Sequence, residues 1–164
     1  MRLPFVVVPL LEETVSRKHL PKDYPIEFWK AENHRGWIDA FMVFGSLLFY
    51  SDIPEESLPR AYAQVAYLFD WEAQCQRSGW SAFDNRHDAM DRILESYCEV
   101  GLAGEAAALK AAYQAWLGTS GSFESTSQAY DEFSHEFSID LDRLEYLAAY
   151  FVDHADRLFY VPEA

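Results

Sequence analysis

Carboxylates are the side chains in this sequence whose number and spacing could support a chemical role. The chain has 27 Asp and Glu residues against 13 Lys and Arg residues, a formal net charge of −14. Nine carboxylates lie between Glu124 and Asp156 with one base, Arg143, so this stretch carries 1 − 9 = −8. Such a field repels nucleic acid and attracts cationic surfaces. The alternative interpretation is an acidic surface that only promotes solubility.

Five carboxylates recur every three to four residues along one predicted helix, which places them on one helix face although Arg86 and Arg92 lie close by: Asp84, Asp88, Asp91, Glu95 and Glu99. Double-stranded DNA presents one charge per about 1.7 Å of its axis, and acidic helices can offer a comparable row of anions. A solvated helix face remains the alternative. The predicted partner-binding residues are Asp131, Glu132, Glu136, Asp140, Asp142, Glu145, Asp153 and Asp156, together with Asp84, Asp88, Asp91 and Glu95.

Other residue combinations give weaker signals. His87 and Asp91 have the spacing of two metal ligands on a helix, but no second His or Cys pair completes a zinc site. The sequence contains no HExxH, GxSxG, P-loop or GxGxxG motif. We therefore expect no metal site, no cofactor and no enzymatic activity. Trp71, Trp80 and Trp116 could line a ligand pocket, although aromatic packing between helices explains them as well.

The elements that must position these residues are predicted to be helices. Half of the 164 residues are apolar, which is enough for a folded core. We predict a single all-α domain over residues 1–164, a bundle of about six helices in which residues 1–36 form an irregular N-terminal arm. Phe5 to Val8 could form a short strand. The predicted helices are Trp37 to Tyr50, Ser57 to Gly79, a helix capped by Asp84 or Asn85 that stops at Gly101, Gly104 to Trp116, Thr126 to Phe137, and a last helix from Asp140 whose apolar stripe includes Leu141, Leu144, Ala148 and Phe151.

The cellular setting is inferred from what the sequence lacks. It has no signal-peptide cleavage pattern and no run of eighteen apolar residues. Its two cysteines, Cys75 and Cys98, do not form a CxxC motif. These features favour a cytoplasmic protein that does not associate with membranes.

Two segments resemble a bacterial protein family. In that family a Glu-containing helix is followed by Asn-Gly-Gly-Phe, a Gln, one or two aromatic residues and a closing Asn. The segment from Trp71 to Asn85 is similar to this pattern, but it reads Arg77-Ser78-Gly79-Trp80 at the glycine element and has Ala82 in place of the Gln. The segment from Asp140 to Phe159 resembles the closing helix of the family, so the likeness covers roughly residues 55–160.

This family includes a small acidic DNA-mimic protein. The resemblance implies an all-α fold, often dimeric, and a surface that occupies the DNA-binding face of a transcription factor. The first functional hypothesis is therefore a homodimeric DNA-mimic regulator that binds a basic DNA-binding protein and does not itself bind nucleic acid. The alternatives are an immunity protein that neutralises a cationic nuclease toxin, and an enzyme or small-ligand-binding protein that uses the aromatic turn near Trp80.

Overall fold

The fold is all-α, as the sequence predicts. The structure, a computed structural model, describes residues 1–133 and 135–164. Within these residues β pairing is limited to an isolated bridge between Arg2 and Val161, and no helix is both long and apolar enough to cross a membrane. The helices are α1 (Val8–Val15), α2 (Trp37–Tyr50), α3 (Arg60–Ser78), α4 (Ala82–Arg86), α5 (Met90–Glu99), α6 (Ala103–Gly118), α7 (Phe123–Asp131), α8 (Asp140–Asp153) and α9 (Ala155–Leu158).

The bounds of α2 and α3 follow from local sequence. Helix α2 spans the dense apolar run Trp37–Tyr50, as predicted, and the chain turns to extended backbone at Ser51. Helix α3 begins at Arg60, immediately after Pro59, whose ring is tolerated only at a helix start. It ends at Ser78, because Gly79 follows with φ +55°, a left-handed conformation that side chains disfavour.

Several predictions about individual elements are wrong, among them the start of α3, which was expected near Ser57 and lies at Arg60. Phe5–Val7 forms a 3-10 turn that leads into α1 rather than a strand, so part of the predicted irregular arm is helical. Asp84 and Asn85, the two predicted caps, both lie inside α4, and α5 starts after Ala89. Helix α7 starts earlier than predicted because the Ser122 side chain accepts a hydrogen bond from the Ser125 amide. It also ends at Asp131, before the predicted Phe137; residue 134 of the predicted helix lies outside the described residues.

The chain forms two compact units, one of residues 1–70 with 144–164 and one of residues 71–143. We call them the aromatic unit and the ionic unit. The predicted organisation as a single domain stays a prediction.

Aromatic rings fill the core of the aromatic unit. Phe41 on α2 stacks on Phe69 of α3 with ring centroids 4.9 Å apart, and Phe151 lies 5.8 Å from Phe41. Helix α2 approaches α3 closely at Gly45, where a Cβ atom would lie 2.7 Å from the Val65 carbonyl oxygen. Only glycine fits this crossing without a shift of backbone, so Gly45 sets the spacing of the two helices.

The ionic unit combines an apolar core with buried charged side chains. Helix α6 packs against both α5 and α7. Phe83 is fully buried and contacts the rings of Trp71, Trp80 and Tyr113. Glu72, Glu105 and Arg143 are buried as well, and these three residues organise the site described next.

Candidate functional site

All of the predicted partner-binding carboxylates are exposed. In the ionic unit these are Asp84, Asp88, Asp91, Glu95, Asp131, Glu132, Glu136, Asp140 and Asp142, and in the aromatic unit they are Glu145, Asp153 and Asp156. Their exposure agrees with the prediction that they face solvent.

Several of these carboxylates are held by local partners. Asp84 accepts a hydrogen bond from the Trp116 indole nitrogen at 2.9 Å. Asp88 lies 3.1 Å from the His87 imidazole, and Glu95 lies 3.4 Å from the Arg92 guanidinium. By contrast, Asp91, Asp131, Glu132, Asp142, Glu145, Asp153 and Asp156 form no ion pair with any residue of the described ranges 1–133 and 135–164.

Glu136 caps the N-terminus of α6. Its carboxylate accepts backbone hydrogen bonds from Gly104 at 2.8 Å and from Glu105 at 3.0 Å. Partial burial acts to raise the pKa of Glu136, but the backbone donors outweigh it and the pKa is lowered. A carboxylate at this position satisfies amides that the helix itself leaves without acceptors, and it fixes the segment after α7 against α6.

Arg143 is buried, which sequence reasoning missed. The Arg143 side chain, 9% exposed, makes two hydrogen bonds to the Glu72 carboxylate, from Nε at 2.6 Å and from Nη2 at 2.8 Å. Its Nη1 atom donates to Asp140 at 3.1 Å. This paired geometry satisfies a guanidinium in a low-dielectric setting, and the pKa of Arg143 is raised although burial, the largest influence, acts to lower it.

The burial of Arg143 also corrects the predicted apolar stripe of the last helix. Leu144, Ala148 and Phe151 are buried as expected, but Leu141 is 54% exposed. Arg143, held by Glu72, takes the inward position in the first turn of α8, so Leu141 is left facing solvent.

A second buried carboxylate, Glu105, lies close to this pair. It accepts a hydrogen bond from the Tyr130 hydroxyl at 2.6 Å. Arg143 Nε and His135 Nδ1 are each 3.9 Å from its carboxylate oxygens, and the histidine contact is an ion pair only when the imidazole is protonated. Burial raises the pKa of Glu105 against the lowering effects of Arg143, Tyr130 and His135. Its negative charge is therefore only partly compensated.

The sequence does carry a signal for these buried charges. Glu72 follows Phe69 by three residues, on the stripe of α3 that the fold buries, and Glu105 precedes Leu109 by four on α6. A charged residue at an inward position of a helix needs a buried partner. Arg143, the lone base in an acidic stretch, was the available candidate.

A pocket of about 370 Å³ opens beside Glu105 and Arg143. It is lined by aromatic rings and by the buried ionic residues, and all of its lining residues belong to the ionic unit. The glycine element predicted from the family resemblance contributes Gly79 and Trp80. The lining comprises Trp71, Cys75, Gly79, Trp80, Glu105, Leu109, Phe123, Ser127, Tyr130, Asp140 and Arg143.

Comparison of the chain with protein-family models, with curated proteins and with solved structures finds no match. The family resemblance of the two segments therefore stays an expectation. In the described residues, no group of three or more His, Cys, Asp or Glu side chains is arranged to hold a metal ion.

Proposed function

We propose that this protein is a DNA-mimic regulator, whose exposed carboxylates bind the DNA-binding face of a basic transcription factor and block its binding to DNA. The observation that carries the proposal is the contrast between exposed acids and the buried base in residues 124–156. All nine carboxylates of that stretch are exposed, whereas Arg143, its one Lys or Arg residue, is buried and paired with Glu72.

The burial of Arg143 increases the negative field that a partner would meet. A base at the surface would screen the neighbouring carboxylates, but here Arg143 is buried and paired with Glu72, and of the nine carboxylates it contacts Asp140 at 3.1 Å. Solvent therefore meets carboxylates without an intervening Lys or Arg side chain along this stretch. Such a surface favours fast, salt-sensitive association with a cationic protein.

The anchored carboxylates support the same proposal. Asp84 is fixed by Trp116, and Glu136 is fixed by two amides at the start of α6. Fixed anions lose less conformational entropy on binding than free side chains do, so they contribute more of their attraction to affinity.

We further propose that the protein acts as a homodimer. Helix α2 is rich in apolar side chains, of which Trp37, Ile38, Val43 and Leu47 remain only half-buried, and Tyr50 is 67% exposed. A dimer would cover part of this surface and double the number of carboxylates. Sedimentation at tens of micromolar (roughly the range of a weak dimer) tests this: a monomer at that concentration contradicts it.

The function is tested by finding the partner and asking what it binds. The full chain is immobilised, lysate from its source cell is passed over it, and bound protein is eluted with a salt gradient. We expect a basic, DNA-binding protein that elutes as salt rises, because exposed charge pairs are screened at high ionic strength. The purified partner is then bound to its DNA, and added protein should release that DNA in a mobility-shift assay.

The outcomes separate the candidate functions. An acidic partner, or an affinity that does not change with salt, contradicts the proposal. A cationic nuclease that is inhibited on binding would instead support an immunity protein, which uses the same electrostatics on a different partner.

A further inference from the structure

The pocket of the ionic unit has the dimensions and lining of a small-molecule site. Its volume of about 370 Å³ lies within the roughly 300–1,000 Å³ typical of ligand pockets. Helices α3, α6, α7 and the start of α8 all contribute to it, together with the turn that contains Gly79 and Trp80. Rigid elements therefore surround most of the space.

The charged groups at the pocket leave an excess of negative charge. Glu72, Glu105 and Asp140 are acidic and Arg143 is basic, which gives a formal sum of 1 − 3 = −2. Arg143 is engaged by the two Glu72 oxygens and by Asp140, so its charge is already satisfied. Among the described residues, the short contact of the Glu105 carboxylate is with the neutral Tyr130 hydroxyl, while Arg143 and His135 are each 3.9 Å away.

The remaining walls are aromatic. Trp71, Trp80, Phe123 and Tyr130 line the pocket. The Trp80 indole N–H is occupied by the Ser127 hydroxyl at 2.8 Å, and the Tyr130 hydroxyl by Glu105. The polar atoms of Trp80 and Tyr130 are therefore committed within the protein, and what these two side chains present to a ligand is ring surface. Aromatic faces attract cations, most strongly where water is excluded.

We propose that this pocket binds a small organic cation, an ammonium group on a compact apolar body, with the Glu105 carboxylate as its counter-ion. The aromatic rings would enclose the apolar part and the ring faces would add cation–π attraction. A bound cation would also compensate the buried charge of Glu105, which burial otherwise disfavours. An anionic ligand is disfavoured because Arg143 is already paired and two carboxylates line the same space.

The charge requirement is tested with three probes of similar shape. Choline carries a trimethylammonium group. Dimethylbutanol has a carbon atom in place of the choline nitrogen and is neutral. Dimethylbutanoate has the same tert-butyl group but carries a carboxylate in place of the hydroxymethyl group of the alcohol. Each is titrated into the full chain by calorimetry and by tryptophan fluorescence, since Trp71 and Trp80 line the pocket. We expect choline to bind at least tenfold more tightly than dimethylbutanol, a difference of about 1.4 kcal/mol, and dimethylbutanoate no better than the alcohol.

The residues are tested with three variants. Glu105→Gln keeps the shape of the side chain and removes its charge, so choline and dimethylbutanol should then bind within about twofold of each other. Phe123→Leu, at a half-exposed rim position that does not endanger the core, should weaken choline severalfold more than the alcohol. Glu56→Gln removes one exposed carboxylate in the aromatic unit and should leave both affinities unchanged.

Several results would overturn the proposal. These are no choline binding in the millimolar range, no preference for choline over its carbon isostere, preferred binding of the anion, or equal behaviour of Glu105→Gln and Glu56→Gln. If Glu105→Gln fails to fold, Phe123→Leu decides: an unchanged choline preference in that variant contradicts the proposed site.

Discussion

The two units of this protein both bury aromatic rings but differ in their buried charges: the aromatic unit buries the Asp70 carboxylate, whereas the ionic unit buries a Glu72–Arg143 ion pair and Glu105. The aromatic unit buries rings, with Phe41, Phe69 and Phe151 in mutual contact. The ionic unit buries Glu72, Glu105 and Arg143 beside a pocket. Apolar burial stabilises a fold directly, at roughly 25 cal/mol per Å². Buried ions contribute little net stability, because desolvation offsets their attraction. The aromatic unit therefore draws its stability mainly from apolar burial, whereas the ionic unit keeps a buried ion pair that contributes little net stability.

The largest expected effect comes from breaking the buried ion pair. Arg143→Met leaves the Glu72 carboxylate buried with only the Tyr97 hydroxyl, 2.6 Å away, as a partner. We expect a loss of about 3–5 kcal/mol in the free energy of unfolding, the usual cost of an uncompensated buried charge. Urea denaturation measures it.

The double variant Glu72→Leu with Arg143→Met is the matched control. Removing both ions restores charge balance, so the double variant should be more stable than Arg143→Met alone. If the double variant is the less stable of the two, the pair stabilises the ionic unit and the contrast between the units fails.

The next effect is steric and lies in the aromatic unit. Gly45→Ala places a methyl group 2.7 Å from the Val65 carbonyl oxygen and 2.8 Å from the Phe69 Cβ atom. Neither atom is the end of a flexible side chain, so the helices must separate, at a cost of about 1–3 kcal/mol. Gly118→Ala is the control, because a Cβ there meets nothing within 4 Å. Equal unfolding free energies for the two variants would contradict the close crossing.

The smallest stability effect is expected at Glu105 and depends on pH. Burial raises the pKa of this carboxyl above its unfolded value, so the folded state favours the protonated form. The stability that the protonated Glu105 carboxyl contributes is complete at pH values below the pKa of the unfolded state. It is lost as the pH rises through the higher pKa of the folded state. Glu105→Gln, which mimics the protonated form, should match the parent protein near about pH 4 and be more stable than it near about pH 8.

Denaturation at both pH values tests this, with choline absent. The groups that face Glu105 are Arg143, Tyr130, His135 and, through its charge, Glu72. His135 Nδ1 lies 3.9 Å from the Glu105 carboxylate, so the comparison is repeated in a His135→Gln background. A variant that is less stable than the parent at the higher pH would show that Glu105 stabilises the fold rather than being retained for a ligand.

The sequence predicts the aromatic unit better than the ionic one. The bounds of α2 follow from its dense run of apolar residues, which is long enough for a buried helix and ends at a turn. The ionic pair joins Glu72 to Arg143, 71 residues apart. No local pattern specifies such a pair, and both residues ordinarily lie at the surface.

The predicted acidic positions were correctly placed in solvent for the same local reason. Charged residues off an apolar stripe face outward, so Asp142, Glu145, Asp153 and Asp156 could be assigned without knowledge of the fold. The existence and shape of the pocket could not be predicted, because its walls come from four helices and a turn. The spacing of residues along the sequence does not specify how these elements pack together. Of its lining residues, the sequence points to Trp71, Gly79 and Trp80 as candidates, whereas Trp116, the third tryptophan considered, does not line this pocket.

The proposed function is tested most directly by neutralising the exposed carboxylates as a group. The partner captured from lysate is bound to its DNA, and release of that DNA is compared for the parent and for two quadruple variants. In one, Asp142, Glu145, Asp153 and Asp156 are changed to Asn or Gln. In the other, four exposed acids outside the acidic stretch, Glu12, Asp23, Glu32 and Asp52, are changed in the same way.

We predict that the first variant loses most of the competition with DNA while each single change has a small effect, because phosphate-like charges act collectively. The second variant should compete nearly as well as the parent, and both should remain folded. If the first variant competes as well as the second, these carboxylates form only a solvated surface and the DNA-mimic account is contradicted.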